Sequence, residues 1–151
     1  MKHLTQALTI VFAFLPAAQA LAKAIPVDVR KTNGCGCCLS WMEHLEVNGF
    51  APTGQDMFGG ILVRFKLDNG VPQRMVSCHT GLIDGYVIEG HVPAADIHRL
   101  LEERPDAVGL AVPRMPYGSP GMGPEEDREA YDVYLIQRDG STEVFSSYPE
   151  G

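Results

Sequence analysis

"AIPVDVRKTNGCGCCLSWMEHLEVNGF", residues 24–50, decides the fold. From Ile25 to Lys31 apolar and polar residues alternate, the period of a half-buried strand. A glycine-cysteine turn follows. Beyond it Leu39, Met42 and Leu45 recur at helical spacing, as do Cys38, Trp41 and Leu45, and Asn48-Gly49 supplies a stop. A strand that passes through a tight turn straight into a helix therefore carries Cys35, Cys37 and Cys38 at the helix's N-terminal end.

Working outward, "MFGGILVRFKLDNG" (57–70) is ambiguous: its glycines weaken a helix, while Ile61, Leu62 and Phe65 suggest one apolar face. "CHTGLIDGYVIEGHV" (78–92) reads as two short strands turning at Asp84-Gly85. "PAADIHRLLEERP" (93–105) is the clearest helix, with Pro93 in its first turn, Ile97, Leu100 and Leu101 as the buried stripe, and Pro105 as the stop. "AVGLAVPRMPYGSPGMGPEED" (107–127) begins as a short apolar run and becomes a Pro/Gly loop. "AYDVYLIQRDGSTEVFSSY" (130–148) predicts a hairpin around Asp139-Gly140. Strand, cysteine turn and helix, then two strands and a helix, is the thioredoxin order. The expected class is α/β: a thioredoxin-like mixed sheet flanked by helices, with an additional C-terminal β-hairpin.

Residues 1–24 look like a cleaved export signal. Lys2 gives a positive start, Ala7 to Ala18 is uncharged and apolar, and "AQA" and "AKA" offer cleavage after Ala20 or Ala24. The run is short for a membrane span, and neither cut exposes a cysteine for lipid attachment. Residues 25–151 are then expected to form a single domain, since about 125 residues can enclose one core but not two. The signal holds two lysines and no acid, so its removal takes the formal charge from −7 to −9. That acidity argues against nucleic acid and anionic membranes as partners, and favours small molecules, cations or other proteins.

Cys35 and Cys38 stand in C-x-x-C relation, and Cys78 lies far downstream before a histidine. At a helix N-terminus the free amides and the helix dipole stabilise a thiolate, which suits thiol–disulfide exchange. An even cysteine count in an exported chain also fits a structural disulfide framework. Neighbouring Cys37 and Cys38 fit neither well, because a vicinal bridge is strained and a third thiol would capture mixed disulfides. Adjacent cysteines also project in different directions, which suits one tetrahedral zinc poorly and bridging of several ions better. Soft sulfur selects Cu(I), and no carboxylate sits within the cluster to favour a harder metal. His79, His91, Met115 and Met122 are further candidates as ligands or supports of ligands. His44, about 10 Å along the helix from Cys37, is too far for the same ion, and Trp41 is expected to pack behind the turn.

"GCGCCLSWMEHLEVNGF", "VPQRMVSCHTGLIDGYVIEGHVPAADIHRLLEERPDAVGLAVP" and "MPYGSPGM" resemble a bacterial family catalogued as a metal-binding domain of unknown function, which includes CopG-type copper-resistance proteins. The likeness runs from about Val27 to Met122. It implies a periplasmic thioredoxin-like domain in which Cys35, Cys37, Cys38 and Cys78 bind copper as a cysteine-bridged cluster. It further implies copper ions as cargo and other copper-resistance or efflux proteins as partners. The family's third motif runs closer to A-V-P-G-M-P-x-G-S-P-G-M-E; here Arg114 replaces the glycine and Gly123 the acid. The rival from another class is a periplasmic thiol–disulfide oxidoreductase using Cys35 and Cys38.

Overall fold

The computed structural model describes residues 23–151, so the segment read as an export signal lies, but for its last two residues, outside the described residues. One seven-stranded sheet organises the rest, in the order β2-β1-β3-β4-β5-β6-β7. Strand β1 (Ile25–Lys31) buries Val27, Val29 and Lys31 in the alternation read from the sequence. Helix α1 (Gly36–Val47) follows after Cys35 at its N-cap, and it buries Cys38, Trp41 and Leu45. Leu39, on the alternative stripe, is half exposed.

Strand β2 (Phe50–Asp56), parallel to β1, is not visible in the sequence. Only Phe50 is buried, because β2 is the sheet edge and needs no second buried partner. Pro52 is tolerated for the same reason. Helix α2 (Gly59–Asp68) resolves the ambiguous middle segment as a helix, but with a different face. Leu62 and Lys66 are its buried residues, while Ile61 is exposed.

Strands β3 (Thr80–Ile83) and β4 (Tyr86–Glu89) form the expected hairpin. Asp84 and Gly85 both take positive φ (47° and 87°), as a tight two-residue turn between twisted strands demands. Helix α3 (Ala94–Glu103) starts one residue after Pro93, which serves as its N-cap, and ends at Arg104 in the left-handed region. The apolar run after Pro105 is strand β5 (Ala107–Ala111), parallel to β4. The C-terminal hairpin pairs β6 (Tyr131–Gln137) with β7 (Thr142–Tyr148).

Side chains alternate between the two sheet faces. Ile88, Leu110 and Leu135 join the cluster under α1 and α3, with Trp41, Leu45, Ile97 and Leu100. Their neighbours Val87, Ala111 and Ile136 face the other way, against Val71 and Met75 beyond α2. The class is thus the expected α/β, a mixed sheet flanked by helices and extended by a hairpin. Strands β1, β2, β4 and β5 run in one direction and β3 opposes them. The carboxyl ends of those four strands and the start of β3 therefore share one edge. Ligand-binding loops of α/β sheets gather at such an edge, and here it receives Cys35, Cys78, His91 and the loop after β5.

Candidate metal centre

The four sulfurs meet. Cys37 Sγ lies 3.5 Å from Cys35 Sγ and 3.5 Å from Cys78 Sγ. Cys78 Sγ is 3.3 Å from Cys38 Sγ and 3.9 Å from Cys35 Sγ. Cys35 and Cys38 are joined as a disulfide, leaving Cys37 and Cys78 as thiols. The divergence expected of Cys37 and Cys38 is real at their roots, one half-buried and the other fully buried. Both sulfurs nonetheless reach Cys78, so divergence along α1 does not by itself dictate several ions.

Two forces shape this pocket. The first N–H groups of α1 have no partner within the helix, and Cys35 offers no side-chain cap, so partial positive charge faces the sulfurs. Burial acts in the opposite sense: it pushes the Cys78 thiol up to about 12, helped by the hydrogen bond that the thiol gives to Cys37. Burial thus favours the protonated Cys78 thiol, and a soft cation bound there would displace its proton.

Cys78 lies two residues ahead of β3 rather than at its first position, in the turn Ser77–Thr80. Both neighbouring histidines aim at it. His91 Nε2 is 3.3 Å from Cys78 Sγ, and its Nδ1 is 2.8 Å from the Pro120 carbonyl. A carbonyl only accepts, so Nδ1 carries the proton and, in the neutral ring, Nε2 presents its lone pair to the sulfurs. Burial lowers the pKa of His91 and keeps it neutral. His79 Nδ1 is also 3.3 Å from Cys78 Sγ, while its buried Nε2 has no hydrogen-bond partner. Burial, and then the field of His91, lowers the pKa of His79 too. Cys78, His79 and His91 form a second group whose donor atoms lie within 4.8 Å of one another, as do those of the four cysteines.

Trp41 sits behind the turn as expected, its ring 4.2 Å from that of His79 and its Nε1–H donating to Val92 O at 2.9 Å. His44 packs elsewhere: its Nε2 accepts from Ala94 N–H at 3.1 Å and so caps α3. The loop after β5 acts through its backbone. Gly121 (φ 85°) lies so close to α1 that a Cβ would stand 2.7 Å from Trp41 N and 2.9 Å from Cys37 O. Arg114, where the resembling family has glycine, takes φ 65°, the left-handed region that glycine favours. Met115 is half exposed, and Met122 is half-buried, its N–H donating to Ser119 O.

One layer of the site gave no sequence signal. Glu89, at the end of β4, is fully buried and its Oε1 accepts from Lys66 Nζ at 2.6 Å and from Ser77 N–H at 2.6 Å. Its Oε2 accepts from Thr80 Oγ1 at 2.7 Å. Lysine in a helix normally reads as a solvated face, and only its place four residues after Leu62 hinted at burial.

The family described as a protein of unknown function, DUF411, matches residues 75–122, which hold the S-C-H-T turn and the Pro/Gly loop. Two solved forms of the copper resistance protein CopG share the fold. Form 1 is 48% identical over 83% of this chain and 98% of its own, with a TM-score of 0.77. Form 2 is 48% identical over 83% of this chain and 99% of its own, with a TM-score of 0.76. No curated protein gave a significant match. At that identity and coverage, with a cysteine and histidine cluster suited to a metal, the chain belongs to the DUF411 family and is a homologue of the copper resistance protein CopG.

Proposed function

We propose that this chain is an exported, periplasmic, thioredoxin-like protein that takes up Cu(I) in copper resistance. Reduced Cys35, Cys37, Cys38 and Cys78 supply the thiolates, which bridge more than one ion. The observation that carries the reading is the convergence of sulfurs from two distant segments within 4.8 Å at the start of α1. Four soft donors favour Cu(I) over harder cations, and the relatives are copper resistance proteins. His91 and His79 add nitrogen donors on the Cys78 side, with Met115 and Met122 as outer candidates. Other copper-resistance or efflux proteins would then exchange copper or electrons with the site. Among the described residues no helix is long and apolar enough to cross a membrane, which fits a chain that leaves the membrane once residues 1–24 are cut.

A second reading, thiol–disulfide exchange, draws support from the Cys35–Cys38 bond at the helix N-terminus. Both readings use the same sulfurs and exclude each other at any moment, since a disulfide leaves only two thiols for a metal. Elemental analysis of protein purified anaerobically from the periplasm of copper-supplemented cells tests them. The copper reading expects more than one copper per chain and an N-terminus at Leu21 or Ile25. Metal-free protein that still reduces disulfides after Cys37→Ser would establish the exchange reading instead.

A further inference from the structure

The turn that presents Cys78 is held at both ends by one carboxylate. Glu89 Oε1 takes the Ser77 N–H and Oε2 takes the Thr80 hydroxyl, so the two residues flanking Cys78-His79 are fixed to a single planar group. Thr80 and Glu89 are also cross-strand partners in the β3–β4 ladder. Lys66 reaches in from α2 to the same two groups, donating to Glu89 Oε1 at 2.6 Å and to Thr80 Oγ1 at 3.0 Å. Lysine and glutamate are 1% and 0% exposed.

Stability does not account for this arrangement. Removing two charges from water costs roughly what their attraction returns, and a packed apolar pair of the same volume would serve the core as well. A hydrophobic pair could not hold the Ser77 amide and the Thr80 hydroxyl at a fixed separation. Donor groups of metal sites are commonly oriented by such a hydrogen-bonded outer layer.

On the copper reading of this site, we propose that Glu89 and Lys66 are positioning residues of the metal centre: the carboxylate clamps the Ser77–Thr80 turn so that Cys78 Sγ stands within reach of Cys37 and Cys38, and the ammonium holds the carboxylate in place. The pair also ties α2, which brings no donor of its own, to the site.

The test uses the paired variant Lys66→Met/Glu89→Met, which removes both charges and both acceptor oxygens at similar side-chain length. Three measurements are made on the reduced chain: circular dichroism, a Cu(I) titration against a competing chelator with the thiolate-to-copper absorption recorded, and a copper-free assay. In the last, diamide oxidises Cys38 and Cys78 to a disulfide in a Cys35→Ser/Cys37→Ser background, reporting how often the sulfurs meet. The expected result is a folded variant with Cu(I) affinity lowered on the order of 10–100-fold, a changed absorption band and a several-fold slower Cys38–Cys78 cross-link. A folded variant with the wild-type cross-linking rate overturns the clamp whatever its affinity. Should the wild-type chain take no Cu(I), the copper reading fails, and the cross-linking rate alone upholds or overturns the clamp. If the paired variant does not fold, Thr80→Val decides in the same assay: a slower cross-link upholds the clamp, and an unchanged rate overturns it.

Discussion

The two walls of the candidate metal centre are built on opposite plans. Cys35, Cys37 and Cys38 come from one turn of chain at the start of α1, placed by the β1-to-α1 transition. Cys78 comes from an irregular turn held by β4, α2 and the loop after β5. The first wall is local and rich in sulfur. The second has a single thiol, two histidines and a buried ion pair. A site that joins a cheap local donor cluster to one remote donor places its specificity in the remote half, where a small displacement separates the sulfurs.

The largest effect that would sharpen this contrast is on stability. Glu89→Gln alone leaves the Lys66 ammonium buried without a counter-charge, and should destabilise the fold by about 3–5 kcal/mol in chemical denaturation. Leu39→Ser, beside Cys38 on the local wall and half exposed, should stay within about 0.5 kcal/mol. Equal costs for the two would break the comparison.

An intermediate effect is expected where the loop meets the local wall. Gly121→Ala combines a left-handed φ of 85° with a Cβ 2.7 Å from Trp41 N. A loss of about 1–3 kcal/mol should accompany loosening of the Pro120 carbonyl that orients His91. Chemical denaturation, with amide exchange at Trp41, checks it. An unchanged variant would mean that the loop merely rests on α1.

The smallest effect lies at His44. Its ring must be neutral to accept from Ala94 N–H, and burial lowers its pKa, with Glu125 pulling the other way. A depressed histidine pKa means that the cap's contribution is present above the unfolded value near 6.5 and is lost as pH falls through the lower folded value. His44→Ala should therefore cost about 1 kcal/mol at pH 7, and the gap to wild type should close on acidification. A gap that widened at low pH would contradict the cap.

How far the sequence could be read follows the same division. Where a pattern is local it was legible: the alternation of β1, the Cys38-Trp41-Leu45 stripe, Asp84-Gly85 and Asp139-Gly140. Strand β2 was not, because an edge strand with Pro52 and Gly54 buries only Phe50 and shows no alternation. The face of α2 was misread because charge ordinarily marks solvent, whereas Lys66 is buried against Glu89. The four cysteines were legible as chemistry, and motif resemblance tied Cys78 to them. The clamp beneath Cys78 consists of ordinary residue types whose partners are fixed only by tertiary contacts.

The central claim, that both walls make one copper site, is tested most directly by a Cu(I) competition titration of reduced Cys78→Ser, with circular dichroism to confirm the fold. The serine is nearly isosteric, so the variant should fold, while loss of the Cys78 thiolate should lower Cu(I) affinity by orders of magnitude and reduce the copper count. Wild-type affinity and stoichiometry in a folded Cys78→Ser chain would confine the site to residues 35–38 and contradict the account.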